Sequence, residues 1–221
     1  MWWKRPKELL LFVVLCVCGF ALFALCLLSG RLGSFDKTVY DALMKYDNPP
    51  MKRLMIGLTF CGSAWIITPA AVFFLVAGIR KKSFRSHGFS AALNPPVAWG
   101  ANYILKEIFR RQRPSESRWL IAESGFSFPS AHAMVNAAFY GSLICLCLAY
   151  FRKPWRSICA VLLLLLAVAI GISRAFLGAH YPSDVAAGFF AGFAQAFFVA
   201  YLSERPGRFG KQWKTGPADG H

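Results

Sequence analysis

Charge is scarce in this chain. Only 16% of its 221 residues are Asp, Glu, Lys or Arg, against about 25% in an ordinary soluble domain, a shortfall that argues against a water-soluble fold. Acid is the scarcer sign: ten Asp and Glu stand beside 25 Lys and Arg, for a formal charge of +15. The cysteines lack the spacing of a zinc site and the setting of a disulfide framework. Cys16, Cys18, Cys26, Cys61, Cys145, Cys147 and Cys159 lie nearly all inside apolar runs. Both Cys-x-Cys pairs fall in predicted helices, where side chains two apart diverge, so they read as small hydrophobes. No polar stretch is long enough to fold as a soluble appendage, and one domain over residues 1–221 is expected.

What is present is apolar: 57% of residues are hydrophobic and mean hydropathy is +0.46. Runs long enough to cross a bilayer recur along the chain. A basic, aromatic start at residues 1–7 leads into a first span at 9–29. The rival reading is a signal peptide, whose apolar region would be roughly 7–15 residues with a small-residue cleavage site. This run is longer, and Leu28-Ser29-Gly30-Arg31 suits cleavage poorly. Phe35, Val39, Leu43 and Tyr46 recur at helical spacing among charges, which predicts an interfacial amphipathic helix over 34–47, closed by Asn48-Pro49-Pro50. Further spans are predicted at 54–79, 89–109, 130–151, 157–176 and 183–203. The third is the least apolar and holds Asn94, Asn102 and Lys106, so it should face the bundle interior. The last carries Gly188-x-x-x-Gly192, a weak mark of close helix packing. The expected fold is therefore all-α: a polytopic membrane protein of six transmembrane helices with one interfacial helix.

Six spans place both termini on one side. The densest short basic loops, at 80–85 and 152–156, share that side, which the positive-inside tendency makes cytoplasmic. The loops after the third and fifth spans then face outward together, on a multi-pass protein of the plasma membrane.

Those two loops and their flanks hold the chemistry. Lys106 and Arg113, followed by Pro114, are two helical turns apart, and Pro114 disfavours helix at Arg113. A guanidinium offers phosphate a planar fork and an ammonium offers it a point charge. Taken alone, with Arg110, Arg111 and Arg118 nearby, the pair fits interfacial snorkelling better. In Pro129-Ser130-Ala131-His132, Ser130 is placed to cap the following helix. The free backbone N–H groups there, that of Ala131 included, suit an anion, and His132 sits in the same first turn. A lone interfacial histidine is by itself more often structural. Ser173-Arg174 interrupts an apolar helix near its end, and His180 and Asp184 bracket a turn into the last span. At i, i+4 the carboxylate can meet the imidazole, fixing its tautomer and freeing the other nitrogen to attack. Asp184 as a mere helix cap is the equal rival.

Together the motifs Lys106-x6-Arg113-Pro114, Pro129-Ser130-x-His132 and Ser173-Arg174-x5-His180-x3-Asp184 resemble, in order and spacing, the three signatures of the type 2 phosphatidic acid phosphatase family. Its members are integral membrane lipid phosphate phosphatases related in their site to vanadium haloperoxidases. The resemblance covers roughly residues 54–203. One position departs: Ala131 stands where the family usually has Gly, which predicts an intact but slightly tighter phosphate pocket.

The resemblance implies hydrolysis of a lipid phosphate monoester or diphosphate without metal or other cofactor. His180, oriented by Asp184, would attack phosphorus and form a phosphohistidine. His132 would protonate the leaving group and then activate water. Lys106, Arg113, Arg174, Ser130 and the Ala131 N–H would hold the phosphate oxygens. Expected partners are the bilayer and a membrane lipid substrate (phosphatidic acid, phosphatidylglycerophosphate, undecaprenyl diphosphate or diacylglycerol diphosphate), with no nucleic acid. The competing classes are a non-catalytic lipid-binding or transport relative, which would tolerate decay of the motifs, and a haloperoxidase-like oxidase, which would be soluble.

Overall fold

The computed structural model describes residues 6–114, 120 and 124–203. The basic residues 1–5, Arg118 with the rest of 115–119, residues 121–123 and the 204–221 tail lie outside the described residues. Among the described residues all regular structure is helical. The α-helices are α1 (Pro6–Leu28), α2 (Gly33–Met44), α3 (Pro49–Cys61), α4 (Ala64–Arg80), α5 (Arg85–Phe109), α6 (Ala131–Tyr150), α7 (Trp155–Phe176) and α8 (Pro182–Ser203), with a single 3₁₀ turn at Lys82–Phe84 before α5. Among the described residues, five segments are long and apolar enough to cross a membrane: Lys7–Leu28, Pro49–Arg80, Ala131–Tyr150, Trp155–Phe176 and Pro182–Ser203. Leu25, Phe73 and Trp65 are 65%, 66% and 81% exposed, as befits side chains that meet lipid. This is an integral membrane protein.

α6 is the axis of the bundle. Its apolar window is 78% buried, against 11–33% for the other four segments, and α5, α7 and α8 all pack on it. Small residues allow this. A Cβ on Gly188 would stand 2.7 Å from the Ser130 carbonyl, and one on Gly192 would stand 2.7 Å from the Ala137 Cβ and 3.0 Å from the Ala138 nitrogen. The Gly-x-x-x-Gly pair is thus the line along which α8 lies against the α6 backbone. That packing brings the start of α8 to the start of α6, where the Ser130 N–H donates to the Asp184 carbonyl at 3.0 Å.

α5, the remaining expected span, begins four residues earlier than 89 and runs through Pro95 and Pro96 without ending. Neighbouring helices can support a proline in such a setting. Asn94 and Asn102 are 3% and 2% exposed and point inward as expected. Asn94 donates to Ser142 Oγ at 2.7 Å, and Asn102 donates to the Pro129 carbonyl at 3.0 Å.

The expected second span differs. In place of one helix over 54–79 there are two, broken at Gly62-Ser63. Asn48 does more than close the preceding helix, because its Oδ1 accepts from the Met51 N–H at 2.9 Å and so caps α3 five residues before 54. The break has a tertiary cause. Ile66 and Ile67 donate to the Ser63 carbonyl at 3.1 and 3.0 Å, and the Gly62 carbonyl is taken by Asn136 Nδ2 of α6 at 3.0 Å. In the bilayer a carbonyl without such a partner would cost several kcal/mol, roughly.

Candidate active site

Three segments meet at one end of the bundle: residues 110–114 after α5, 124–130 before α6, and the 177–181 turn between α7 and α8. α5 ends at Phe109, and Arg110 closes it in the left-handed region (φ 44°), so Arg113 follows on non-helical backbone. Its guanidinium gathers the other two segments, donating to the carbonyls of Gly125 (2.9 Å), Ser124 (2.9 Å) and Ala179 (2.7 Å). Lys106 Nζ donates to the Phe126 carbonyl.

His180 is 2% exposed. Arg113 Nη1 lies 3.2 Å from its Nε2. A guanidinium can only donate, so Nε2 presents a lone pair and the proton sits on Nδ1. Burial pushes the His180 pKa down to about 4, and the charges of Arg113 and Lys106 act in the same direction while Asp184 opposes them. The ring is therefore neutral near pH 7, with the lone pair of Nε2 turned toward Arg113.

The carboxylate behind it is engaged on both oxygens. Asp184 is fully buried. Its Oδ1 receives Arg111 Nη1 at 2.6 Å. Its Oδ2 receives Ser127 Oγ at 2.5 Å and the Tyr181 N–H at 2.9 Å. The direct contact expected at i, i+4 is not a hydrogen bond: His180 Nδ1 stands 3.7 Å from Oδ2. The Ser127 hydroxyl lies between them, 3.3 Å from Nδ1.

Ser130 caps α6 as its sequence position predicts, its Oγ accepting from the Ala133 N–H at 3.4 Å. Ala131 opens the helix and His132 lies in its first turn. Both also line an apolar groove of about 550 Å³ between α4 and α5, walled by Ile67, Val72, Leu93 and Trp99. Arg174 is 2% exposed, and its Nη1 donates to Thr59 of α3 at 2.9 Å. Its carbonyl accepts from the Ala179 N–H at 3.1 Å and the His180 N–H at 3.3 Å, which folds the turn that presents the imidazole. The structure thus links Arg113 to His180 directly and His180 to Asp184 through Ser127, joins Ser130 to Asp184 through backbone, and seats Lys106 beside them on Phe126.

Three contributors escaped the sequence reading. Ser127 is one. Arg111, grouped with the snorkelling cations, is partly buried instead: it bridges Asp184 and Asp36 Oδ2, each at 2.6 Å, and lies 3.9 Å from the Tyr181 ring centroid. Burial works against its charge, yet the two carboxylates outweigh that and raise its pKa above the ordinary value. Asp36 of α2 is the third, and it also accepts from the N–H and Oγ of Ser183 at 2.9 Å each. A carboxylate at the first turn of α8 suits the helix dipole. The available signal was slight: Arg111 lies inside the first motif two residues before Arg113, Ser127 stands two residues ahead of the second, and Asp36 is one of few acids.

This is a polytopic helical membrane protein with a cluster of buried, paired charges at one end of the bundle. It belongs to the PAP2 superfamily, whose model matches residues 84–208. Over 207 residues the chain is 28% identical to phosphatidylglycerophosphatase B of Bacillus subtilis (strain 168), an alignment covering 93% of this chain and 98% of that one. The crystal structure of a transmembrane PAP2-type phosphatidylglycerolphosphate phosphatase from Bacillus subtilis superposes with a TM-score of 0.77 at 28% identity, covering 95% of this chain and all of that one. Decaprenylphosphoryl-5-phosphoribose phosphatase of Mycobacterium tuberculosis (strain ATCC 25618 / H37Rv) is 30% identical over 148 residues, 64% of this chain and 75% of that one.

Proposed function

We propose that this PAP2-family hydrolase cleaves a lipid phosphate monoester or diphosphate at the membrane surface through a phosphohistidine on His180. The observation that carries the reading is the state of that ring: buried, neutral, its Nε2 unprotonated beside Arg113 and its Nδ1 backed by an ionised pair. Nε2 forms a bond to phosphorus as the ester P–O bond breaks, and the leaving oxygen takes a proton from His132. The ring becomes cationic and Asp184 balances it. In the second step water gives a proton to His132 and its oxygen attacks phosphorus. The P–N bond breaks and its electron pair returns to Nε2. Lys106, Arg113 and Arg174, with Ser130 and the Ala131 N–H, stabilise charge on the equatorial oxygens. Three fixed cations fill the role a metal plays elsewhere.

The apolar groove that His132 lines suits an acyl or isoprenoid tail. Phosphatidylglycerophosphate heads the candidates, because the relative aligned over 93% of this chain carries that activity in its name. Phosphatidic acid and undecaprenyl diphosphate follow. The layout proposed with this has α5 as a sixth span and α2 along the interface, with the site extracytoplasmic and the termini cytoplasmic. It is supported by the basic residues Arg80, Lys81, Lys82, Arg152 and Lys153, which all lie at the other end of the helices that carry the motifs.

The test is phosphate release by purified protein in detergent from a panel of these lipids at equal surface concentration. His180→Ala is expected to abolish turnover, Asp184→Asn to collapse it to a small measurable remainder, and EDTA to leave it unchanged. His132→Ala is expected to slow it roughly 10²–10⁴-fold. Full activity of His180→Ala would overturn the scheme.

A further inference from the structure

The charge of Asp184 reaches His180 through a third group. His180 Nδ1 and Asp184 Oδ2 stand 3.7 Å apart, and the carboxylate is not free to close that gap. Arg111 holds its Oδ1 at 2.6 Å, and the Tyr181 N–H holds its Oδ2 at 2.9 Å. Ser127 fills the space between. It is fully buried, its N–H donates to the Arg111 carbonyl at 2.8 Å, and the adjacent Phe126 carbonyl is held by Lys106. The hydroxyl is therefore fixed by the same residues that frame the site.

A hydroxyl has one proton to give, and its 2.5 Å contact with Asp184 Oδ2 takes that proton, because a carboxylate only accepts. Toward His180 Nδ1, at 3.3 Å, the same oxygen must then accept. This agrees with the tautomer that Arg113 imposes on the opposite nitrogen. The two independent contacts fix one direction for the chain: Nδ1–H to Ser127 Oγ, and Ser127 O–H to Asp184.

We propose that Ser127 is a positioning residue of the hydrolytic site, relaying the charge of Asp184 to the imidazole through this ordered pair of hydrogen bonds. The proposal rests on the reading of His180 as nucleophile. When Nε2 bonds to phosphorus and the ring becomes cationic, Nδ1–H becomes a stronger donor and the polarised hydroxyl carries the stabilisation to the carboxylate. No proton need change owner. Ser127 touches neither substrate nor phosphorus, so its loss should appear in kcat while substrate binding is kept.

The experiment compares the wild type with Ser127→Ala, Asp184→Asn and the double variant, using phosphatidic acid in mixed micelles. Ser127→Ala is expected to lower kcat about 10²-fold, the scale of a misplaced reacting group, with KM unchanged and thermal unfolding in detergent close to wild type. The double variant should turn over no more slowly than Asp184→Asn alone, because the carboxylate acts through the hydroxyl. Wild-type kcat in Ser127→Ala, or losses that multiply in the double variant, would overturn the relay. If Ser127→Ala fails to fold, Ser127→Cys keeps the volume while weakening both hydrogen bonds. A reduced kcat at unchanged KM then supports the relay, and wild-type kcat refutes it. A wild type that releases phosphate from no lipid refutes the phosphatase reading and takes the relay with it, whereas an active wild type beside a fully active Ser127→Ala refutes the relay alone.

Discussion

Replacing Arg111 with Gln should damage this protein far more than the same change at its neighbour Arg110. The side chain of Arg111 is 14% exposed and bridges Asp184 (0%) and Asp36 (6%), each at 2.6 Å. Gln keeps much of the volume and removes the charge, leaving two carboxylates buried with no cation between them. Removing one partner of a buried pair costs about 3–5 kcal/mol, because the other charge stays desolvated and uncompensated. For a chain of this size that corresponds to a fall in melting temperature of roughly 10 °C. Arg110 offers the contrast: its side chain is 69% exposed, and its pair with Glu107 is 3.4 Å long, so solvent screening holds the loss to less than about 1 kcal/mol. The assay is thermal unfolding of the purified protein in detergent, followed by the fluorescence of its seven tryptophans. Adding Asp36→Asn to Arg111→Gln should cost less than the two single losses summed, since the variants share one interaction; coupling of about 0.5–3 kcal/mol is the expected scale. An Arg111→Gln protein that melts with the wild type, or that matches Arg110→Gln, would refute the bridge.

Other outcomes follow from the same structure. The His180 pKa is depressed from 6.5 to about 4 by burial and by Arg113 and Lys106, with Asp184 opposing and Ser127 facing Nδ1. The unfolded chain therefore takes up this proton before the native state does. The stability it confers is complete above pH 6.5 and is lost as pH falls toward 4, by an amount on the order of 3 kcal/mol. His180→Ala should lack that acid slope in unfolding measured across the same pH range, and an unchanged slope would contradict the assignment. Gly188→Ala should weaken the α6–α8 contact, because the new Cβ meets the Ser130 carbonyl at 2.7 Å, and backbone cannot give way as a side chain can. A lowered melting temperature with reduced activity is expected, and wild-type values for both would count against the packing line.

The sequence reading succeeded where chemistry repeats locally. Ser130 as helix cap, Gly188 and Gly192 as a packing line, and the inward asparagines of α5 all express neighbours within a few positions along the chain. The motif residues are local patterns too, although what joins Arg113 to His180 in the fold is a contact across 67 positions. The parts that escaped are contacts across long separations. Arg111 meets Asp184 across 73 positions and Asp36 across 75, and Asp36 meets Ser183 across 147. No periodicity encodes those distances. The break between α3 and α4 escaped for the same reason: residues 54–79 read as one apolar run, and what permits the interruption is a side-chain amide on α6, Asn136, that takes up the Gly62 carbonyl. The direct His180–Asp184 bond inferred from i, i+4 spacing failed by a narrow margin, since the spacing fixes adjacency while Ser127, from another loop, decides which atoms touch.

The groove between α4 and α5 bears on how the enzyme must be measured. Its lining residues Val72, Leu93 and Trp99 are 52–64% exposed on the flank of the bundle, and His132 lines it too. A tail seated there arrives sideways from the bilayer. The variable that sets the rate is then the mole fraction of substrate in the surface, and bulk molarity is immaterial once the lipid is dispersed. Diluting substrate with inert lipid at fixed total substrate should slow turnover, while diluting the whole suspension with buffer should not.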